Sequence, residues 1–128
     1  MSALVPPHGG RGLQPLQLEG EGRTEELRRA RTLRKLRVTS REKGDLVMLG
    51  IGGFTPLEGF MNRADWKGVC DDMRTEGGLF WPIPITLSTD ETTAASIAIG
   101  EDVALMDPDH DASLAVGSRI RSQCLEVL

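Results

Sequence analysis

The sequence has no tyrosine, and only 4% of its 128 residues are aromatic. Aliphatic side chains must therefore fill the interior, and the interleaved rings on which single-stranded nucleic acid stacks are missing. Cysteine occurs twice, as Cys70 and Cys124, without the C-x-x-C spacing of a zinc site or the density of a disulfide scaffold. A reduced, cytoplasmic setting is the expectation from that usage. No apolar run approaches the roughly 18 residues of a membrane span. The start "MSALVPPHGG" has neither the basic head nor the apolar stretch of a secretion signal, so no membrane partner is expected.

What is present suits one domain of ordinary size, able to bury about two thirds of its unfolded surface without covalent staples. Net charge is −4, but it is unevenly spread. Between Arg23 and Lys43 there are nine basic residues against three acidic ones. Such a stripe can meet phosphate groups; a solvated or interdomain face is the plainer reading and the one adopted, because the chain as a whole is acidic and poor in aromatics.

Residues 1–22 contain paired prolines and several glycines, which predict an extended arm. "TEELRRARTLRKL", residues 24–36, reads as a helix capped by Thr24, with Glu25 and Glu26 at its positive end and Arg34 and Lys35 at its negative end. Thr39 followed by Glu42 is a capping-box pattern that opens a second helix, which Gly52 and Gly53 should close. Pro56 then opens a turn, with Phe54, Leu57, Phe60 and Met61 as apolar anchors. Asn62 caps a third helix, "RADWKGVCDDM", which ends before Gly77 and Gly78. "LFWPIPITLS", residues 79–88, alternates like a strand, but Pro82 and Pro84 confine it to a bent or edge position. Two further strands, 102–106 and 112–116, flank a turn built from Asp107, Pro108 and Asp109. Helices first and strands later give α+β organisation.

No reactive constellation emerges. Asp107, Asp109 and Asp111 match the first three ligand positions of a calcium loop, but Ala112 and Ser118 stand where glycine and glutamate are required. His8 and His110 lie about a hundred residues apart with no nucleophile motif beside either. Cys70 sits inside the third helix, where a half-buried structural thiol is the expectation. "GIGGFTPLEG" follows a helix and lacks the Lys-Ser/Thr of a phosphate loop. Catalytic, cofactor-binding and metal-ligating residues are accordingly assigned to none of these positions.

Three segments carry a resemblance: "PPHGG" at 6–10, "TSREKGDLVMLGIGGFTPLEGFMNRADW" at 39–66 and "GLFWPIPITL" at 78–87. In this order and separation they closely resemble the amino-terminal region of the ATP sulfurylase (sulfate adenylyltransferase) family, bacterial dissimilatory type. That family makes adenosine phosphosulfate and pyrophosphate from ATP and sulfate. The likeness runs from residue 6 to about 116. It implies a PUA-like mixed β-barrel with flanking helices, packed against a separate nucleotidyltransferase domain. The family's catalytic signatures, Gln-x-Arg-Asn, His-x-x-His and Gly-Arg-Asp, belong to that second domain, and none occurs here.

The resemblance therefore implies a noncatalytic domain with a scaffolding and interdomain-packing role, residues 23–116, preceded by the arm 1–22. Whether the chain is an enzyme by itself stays open at this point. No cofactor is implied for this chain; the parent enzyme uses MgATP as substrate. From Gly117 the sequence "GSRIRSQCLEVL" leaves the family pattern, so 117–128 forms a divergent tail. A frameshift, a truncation and a chain cut by design would each give that departure. The barrel is then expected to lack its last strand or strands, and a neighbouring strand left unpaired is a route to association. The partners implied are the catalytic domain or another copy of the chain. A free-standing PUA-like RNA-binding module is the alternative, disfavoured by the acidity and scarce aromatics.

The corner anchors should be buried, each contributing roughly 1.5–3 kcal/mol when fully covered. Phe60→Ala is accordingly expected to lower the melting temperature measured by circular dichroism; an unchanged curve would contradict buried anchoring.

Overall fold

The structure, a computed structural model, describes residues 4–118 and 126–127. Its centre is a mixed sheet of four strands in the order β1 (Arg34–Arg37), β2 (Asp102–Met106), β3 (Ser113–Ser118) and β4 (Glu126–Val127). β1 runs parallel to β2, whereas β2–β3 and β3–β4 are antiparallel. Among the described residues the sheet is open, matching the expected partial, PUA-like α+β barrel. Two residues of the divergent tail supply β4, pairing Val127 with Ala115 and Glu126 with Val116.

The period-two alternation of β2 divides the interior. Val103 and Leu105 face one way, into a cluster with Leu36, Val38, Leu46, Ile97 and Ala115. Ala104 and Met106 face the other, against Ala30 and Val116. The register passes from Leu105↔Ala115 to Met106↔Ser113, leaving Leu114 as the extra residue of a bulge. Leu114 thereby packs against the same cluster as its neighbour Ala115.

The first helix differs from its sequence reading. α1 spans Gly20–Ala30, beginning inside the expected arm and ending before the expected stop. Thr24 is an interior residue whose hydroxyl donates to the Gly20 carbonyl, not a cap. Arg34, Lys35 and Leu36, expected in its last turn, belong to β1. The physical reason is burial: fully enclosed Ala30 brings α1 onto the sheet, and Leu36 and Val38, two residues apart, must then enter the opposite cluster. That alternation is incompatible with helix and is satisfied by pairing with β2.

The expected order of helices before strands is likewise corrected. β1 precedes α2, and a short α4 (Glu91–Ser96) lies between the corner and β2. Asp90 caps α4, its carboxylate accepting from the Thr93 N–H at 2.8 Å. The arm is docked on α2. After a tight turn at His8–Gly10, the Leu16 and Gln17 N–H groups donate to the Leu49 and Gly50 carbonyls.

α2 (Ser40–Ile51) and α3 (Arg63–Asp72) follow their local chemistry. Thr39 and Glu42 form the reciprocal capping box, and Asn62 accepts from the Asp65 N–H. At the end of α2 the Gly52 N–H donates to Leu49 and the Gly53 N–H to Met48, a Schellman closure that requires the left-handed backbone of Gly52 (φ 83°).

The segment 79–88 is not a strand. Its ladder is a single bridge between Phe80 and Arg74, because Pro82 and Pro84 have no N–H to offer. Its backbone groups find other partners: Trp81 donates to the Met73 carbonyl, the Ile85 carbonyl accepts from Met61, and the Thr86 carbonyl accepts from Arg41. Trp81 and Ile85 still point inward, forming with Val69 a small core apart from the two clusters on the sheet.

The chain leaving α3 folds back across Gly68, where an added Cβ would lie 2.3 Å from the Arg74 carbonyl oxygen. Helix propensity favours alanine by up to about 1 kcal/mol, but backbone overlap outweighs it. Gly68→Ala is expected to be destabilising by roughly 1–3 kcal/mol, read as a lower urea midpoint; an equal or higher midpoint would refute the close approach.

Candidate functional site

All three segments that carry the family resemblance meet at Trp81. Phe54, from the corner after α2, stands edge-on to its ring with centroids 5.7 Å apart and planes at 89°. His8, from the arm, tilts onto the same indole at 5.7 Å and places Nε2 2.7 Å from the Phe80 carbonyl oxygen. Gly9 lies against Pro56, where a Cβ would come within 2.7 Å of the proline ring. The anchors Phe54, Leu57, Phe60 and Met61 pack on Val69, Trp81 and Ile85 as expected, although each is half-buried and not enclosed. Phe60 also touches the main cluster and so joins the two cores.

Beside this corner lies a shallow depression of about 190 Å³, lined by Pro56, Leu57, Phe60, Asp65, Thr75 and Leu79 among others. Two of its polar side chains, Asp65 and Thr75, are engaged in local structure. An Asp65 carboxylate oxygen accepts from the Glu76 N–H at 3.0 Å, and the Thr75 hydroxyl accepts from the Leu79 N–H at 3.2 Å. They hold the loop after α3 and leave no convergent set aimed at a ligand.

The most deeply buried charged residue among the described residues is Glu42, which the sequence identifies as a capping residue but not as a cross-link. Its Oε1 accepts from the Thr39 N–H at 2.8 Å. Its Oε2 accepts from the Ser88 N–H at 2.5 Å and the Ser88 hydroxyl at 3.3 Å. Burial pushes the carboxyl up, yet the donors from Ser88 and Thr39 together outweigh it and hold Glu42 below the usual carboxylate range. The start of α2 is thus tied to the end of the 79–88 segment.

Asp107 plays the equivalent part at the β2–β3 turn. Its carboxylate receives Lys43 Nζ at 2.5 Å and the N–H groups of Asp109 and His110. The Lys43 hydrogen bond and the Asp109 N–H, opposed by burial, hold it far below the usual range. Arg37 donates to the Asp107 and His110 carbonyls. The acidic turn is therefore organised around a protein cation and its own backbone, and among the described residues no three His, Cys, Asp or Glu side chains gather as a metal site.

The other residues weighed from sequence remain apart. His8 is at the Trp81 corner and His110 at the β2–β3 turn, each with its own partners. Cys70 is exposed on α3, correcting the expected half-buried thiol: the inward position of that turn is taken by Val69. Cys124 lies outside the described residues. The basic stripe is largely neutralised within the chain. Arg28 pairs with Glu25, Arg29 with Glu26 and Asp102, Arg34 with Glu101, and Arg41 with Asp45.

The remaining surface feature is apolar. Val47 and Ile51 are more than half exposed on α2, with Met48 and the arm residue Leu13 beside them. Trp66, Met73 and Phe80 are similarly bare around α3. Among the described residues no helix is long and apolar enough to cross a membrane.

Comparison with known proteins places these features. A PUA-like domain model matches residues 5–119. The chain is 53% identical over 115 residues to a sulfate adenylyltransferase of Desulfatibacillum aliphaticivorans, covering 90% of this chain and 27% of that one. It is 56% identical over 109 residues to a sulfate adenylyltransferase of Thiobacillus denitrificans, covering 85% and 26%. The chain thus spans about a quarter of the length of the curated relatives it matches. Among solved structures, a hexameric APS kinase from Thiobacillus denitrificans superposes with a TM-score of 0.77 at 34% identity, covering 90% of this chain and 23% of that one.

Removing the Glu42 carboxylate takes the acceptor from the Thr39 and Ser88 donors and empties an enclosed position. Glu42→Ala should lower stability by roughly 2–4 kcal/mol, and Glu42→Gln should also destabilise because its amide presents N–H to N–H. Since the folded carboxyl is shifted down, its contribution is full above the unfolded value of about 4.3 and is lost as pH falls through the folded value. The difference in melting temperature between the chain and Glu42→Gln should therefore narrow below about pH 4; a constant gap would exclude an ionised Glu42.

Proposed function

The chain belongs to the PUA-like domain family, and from that premise we propose that it is the amino-terminal, noncatalytic domain of a sulfate adenylyltransferase. Its role is to scaffold and pack against the part of the enzyme that joins ATP to sulfate. The observation that carries this reading is the combination of 53% and 56% identity with a four-fold difference in length from relatives of that name. Identity at that level across both cores and the Trp81 corner preserves a fold; most of each relative lies elsewhere.

The side chains with chemical potential support the same reading through what they already do. Glu42 and Asp107 are saturated by donors from the chain, Lys43 is committed to Asp107, and His8 is lodged against Trp81. None is left poised toward a substrate. In this reading residues 23–116 form the packed unit, the arm 1–22 is docked on it and 117–128 is the divergent tail. MgATP is handled by the remainder of the enzyme, and the setting is cytoplasmic. The partner is that remainder or a further copy, the latter in keeping with the hexameric assembly of the APS kinase neighbour. An RNA-binding role has less support, because the Arg28–Lys43 cations are mostly spent on acceptors within the chain.

The isolated chain is expected to give no sulfate-dependent pyrophosphate exchange and no molybdate-dependent cleavage of ATP. Turnover by material free of host enzyme would overturn the assignment.

A further inference from the structure

α2 is apolar on both sides of its second half. The inward residues Leu46 and Leu49 are enclosed. The outward stripe is Gly44, Val47, Met48 and Ile51, spaced i, i+3, i+4, i+7 and exposed throughout. Leu13 extends it at the helix end, lying 3.0 Å from where a Gly52 Cβ would stand. A helix apolar on opposite faces is normally covered on both.

Gly44 adds a second, independent observation. Glycine in a helix interior is less favourable than alanine, and an added Cβ at Gly44 would meet nothing within 4 Å. Among the described residues nothing explains its smallness. A surface approaching the helix closely over that position does.

We infer that the Gly44–Val47–Met48–Ile51 face of α2, with Leu13, is the seat of the polypeptide that makes up the rest of the sulfate adenylyltransferase, held by apolar contact and close backbone approach at Gly44. This rests on the domain assignment above. The size of the patch selects the occupant. The bare parts of Leu13, Val47, Met48 and Ile51 sum to on the order of 400 Å², the scale of interaction patches on single chains. Self-association through it alone would fall well short of the ~800 Å² per partner typical of stable complexes. A covalently linked partner needs less, because linkage supplies the effective concentration, and about three quarters of each relative's length is available to be that partner.

The test is thiol footprinting. Val47→Cys and Ile51→Cys are made separately in a Cys70→Ser, Cys124→Ser background. Each is placed in the isolated chain and in the Thiobacillus denitrificans sulfate adenylyltransferase whose matching quarter this chain replaces. Both sites should react with a maleimide at least tenfold more slowly in the chimera, and at a concentration-independent rate in the isolated chain. Equal rates in a chimera that still releases pyrophosphate with sulfate would overturn the face while leaving the domain assignment standing. Rates falling with the isolated chain's concentration would assign the face to a second copy and overturn the proposal. An inactive chimera with unprotected thiols would remove both readings. Gly44→Leu gives a second readout of opposite signs: a raised melting temperature for the isolated chain and a lowered one for the chimera. A rise in both would overturn the close approach.

Discussion

Glu42 joins two parts of the molecule that no strand ladder connects. Through one carboxylate it closes the first turn of α2 on Thr39 and grips Ser88 at the far end of the proline-bearing segment. That segment cannot be held by a ladder, so its position depends on such individual bonds, together with Arg41 to the Thr86 carbonyl and Met61 to the Ile85 carbonyl. An enclosed carboxylate is costly unless its lone pairs are filled. Here they are filled by donors that tie the start of α2 to Ser88, at the end of the segment that carries Trp81 and Ile85 into a small core with Val69.

The resemblance segments acquire a physical meaning from the same arrangement. They are remote in sequence, yet each supplies one wall of the Trp81 environment: His8 from the arm, Phe54 and Pro56 from the corner, and the tryptophan itself from the extended segment. With few aromatics in the chain, a large share of the ring surface is concentrated at one junction. The motif therefore records packing at a corner, and its presence says which fold the chain adopts without implying chemistry performed there.

Much of this was legible in local sequence. The Thr39–Glu42 box, the Gly52 stop, the Asn62 cap and the acidic turn between β2 and β3 all act within four residues, where hydrogen-bond chemistry alone decides the outcome. The boundary of α1, the existence of β1 and the brevity of the ladder at Phe80 were not. Leu36 and Val38 hold a two-residue alternation inside a basic run that also suits a helix, and only the distant Val103–Met106 strand makes the extended form the better one. Asp90, the cap of α4, was a local signal that sequence reasoning passed over.

The apolar run from Leu46 to Ile51 draws the same line. Sequence by itself determined where α2 starts and stops, and that Glu42 would cap it. Only the tertiary structure decided that Leu46 and Leu49 turn inward, that Val47 and Ile51 stay bare, and that Glu42 reaches Ser88. Caps and turns are settled by neighbours along the chain, whereas burial and strand pairing depend on partners that the chain must bring from far away.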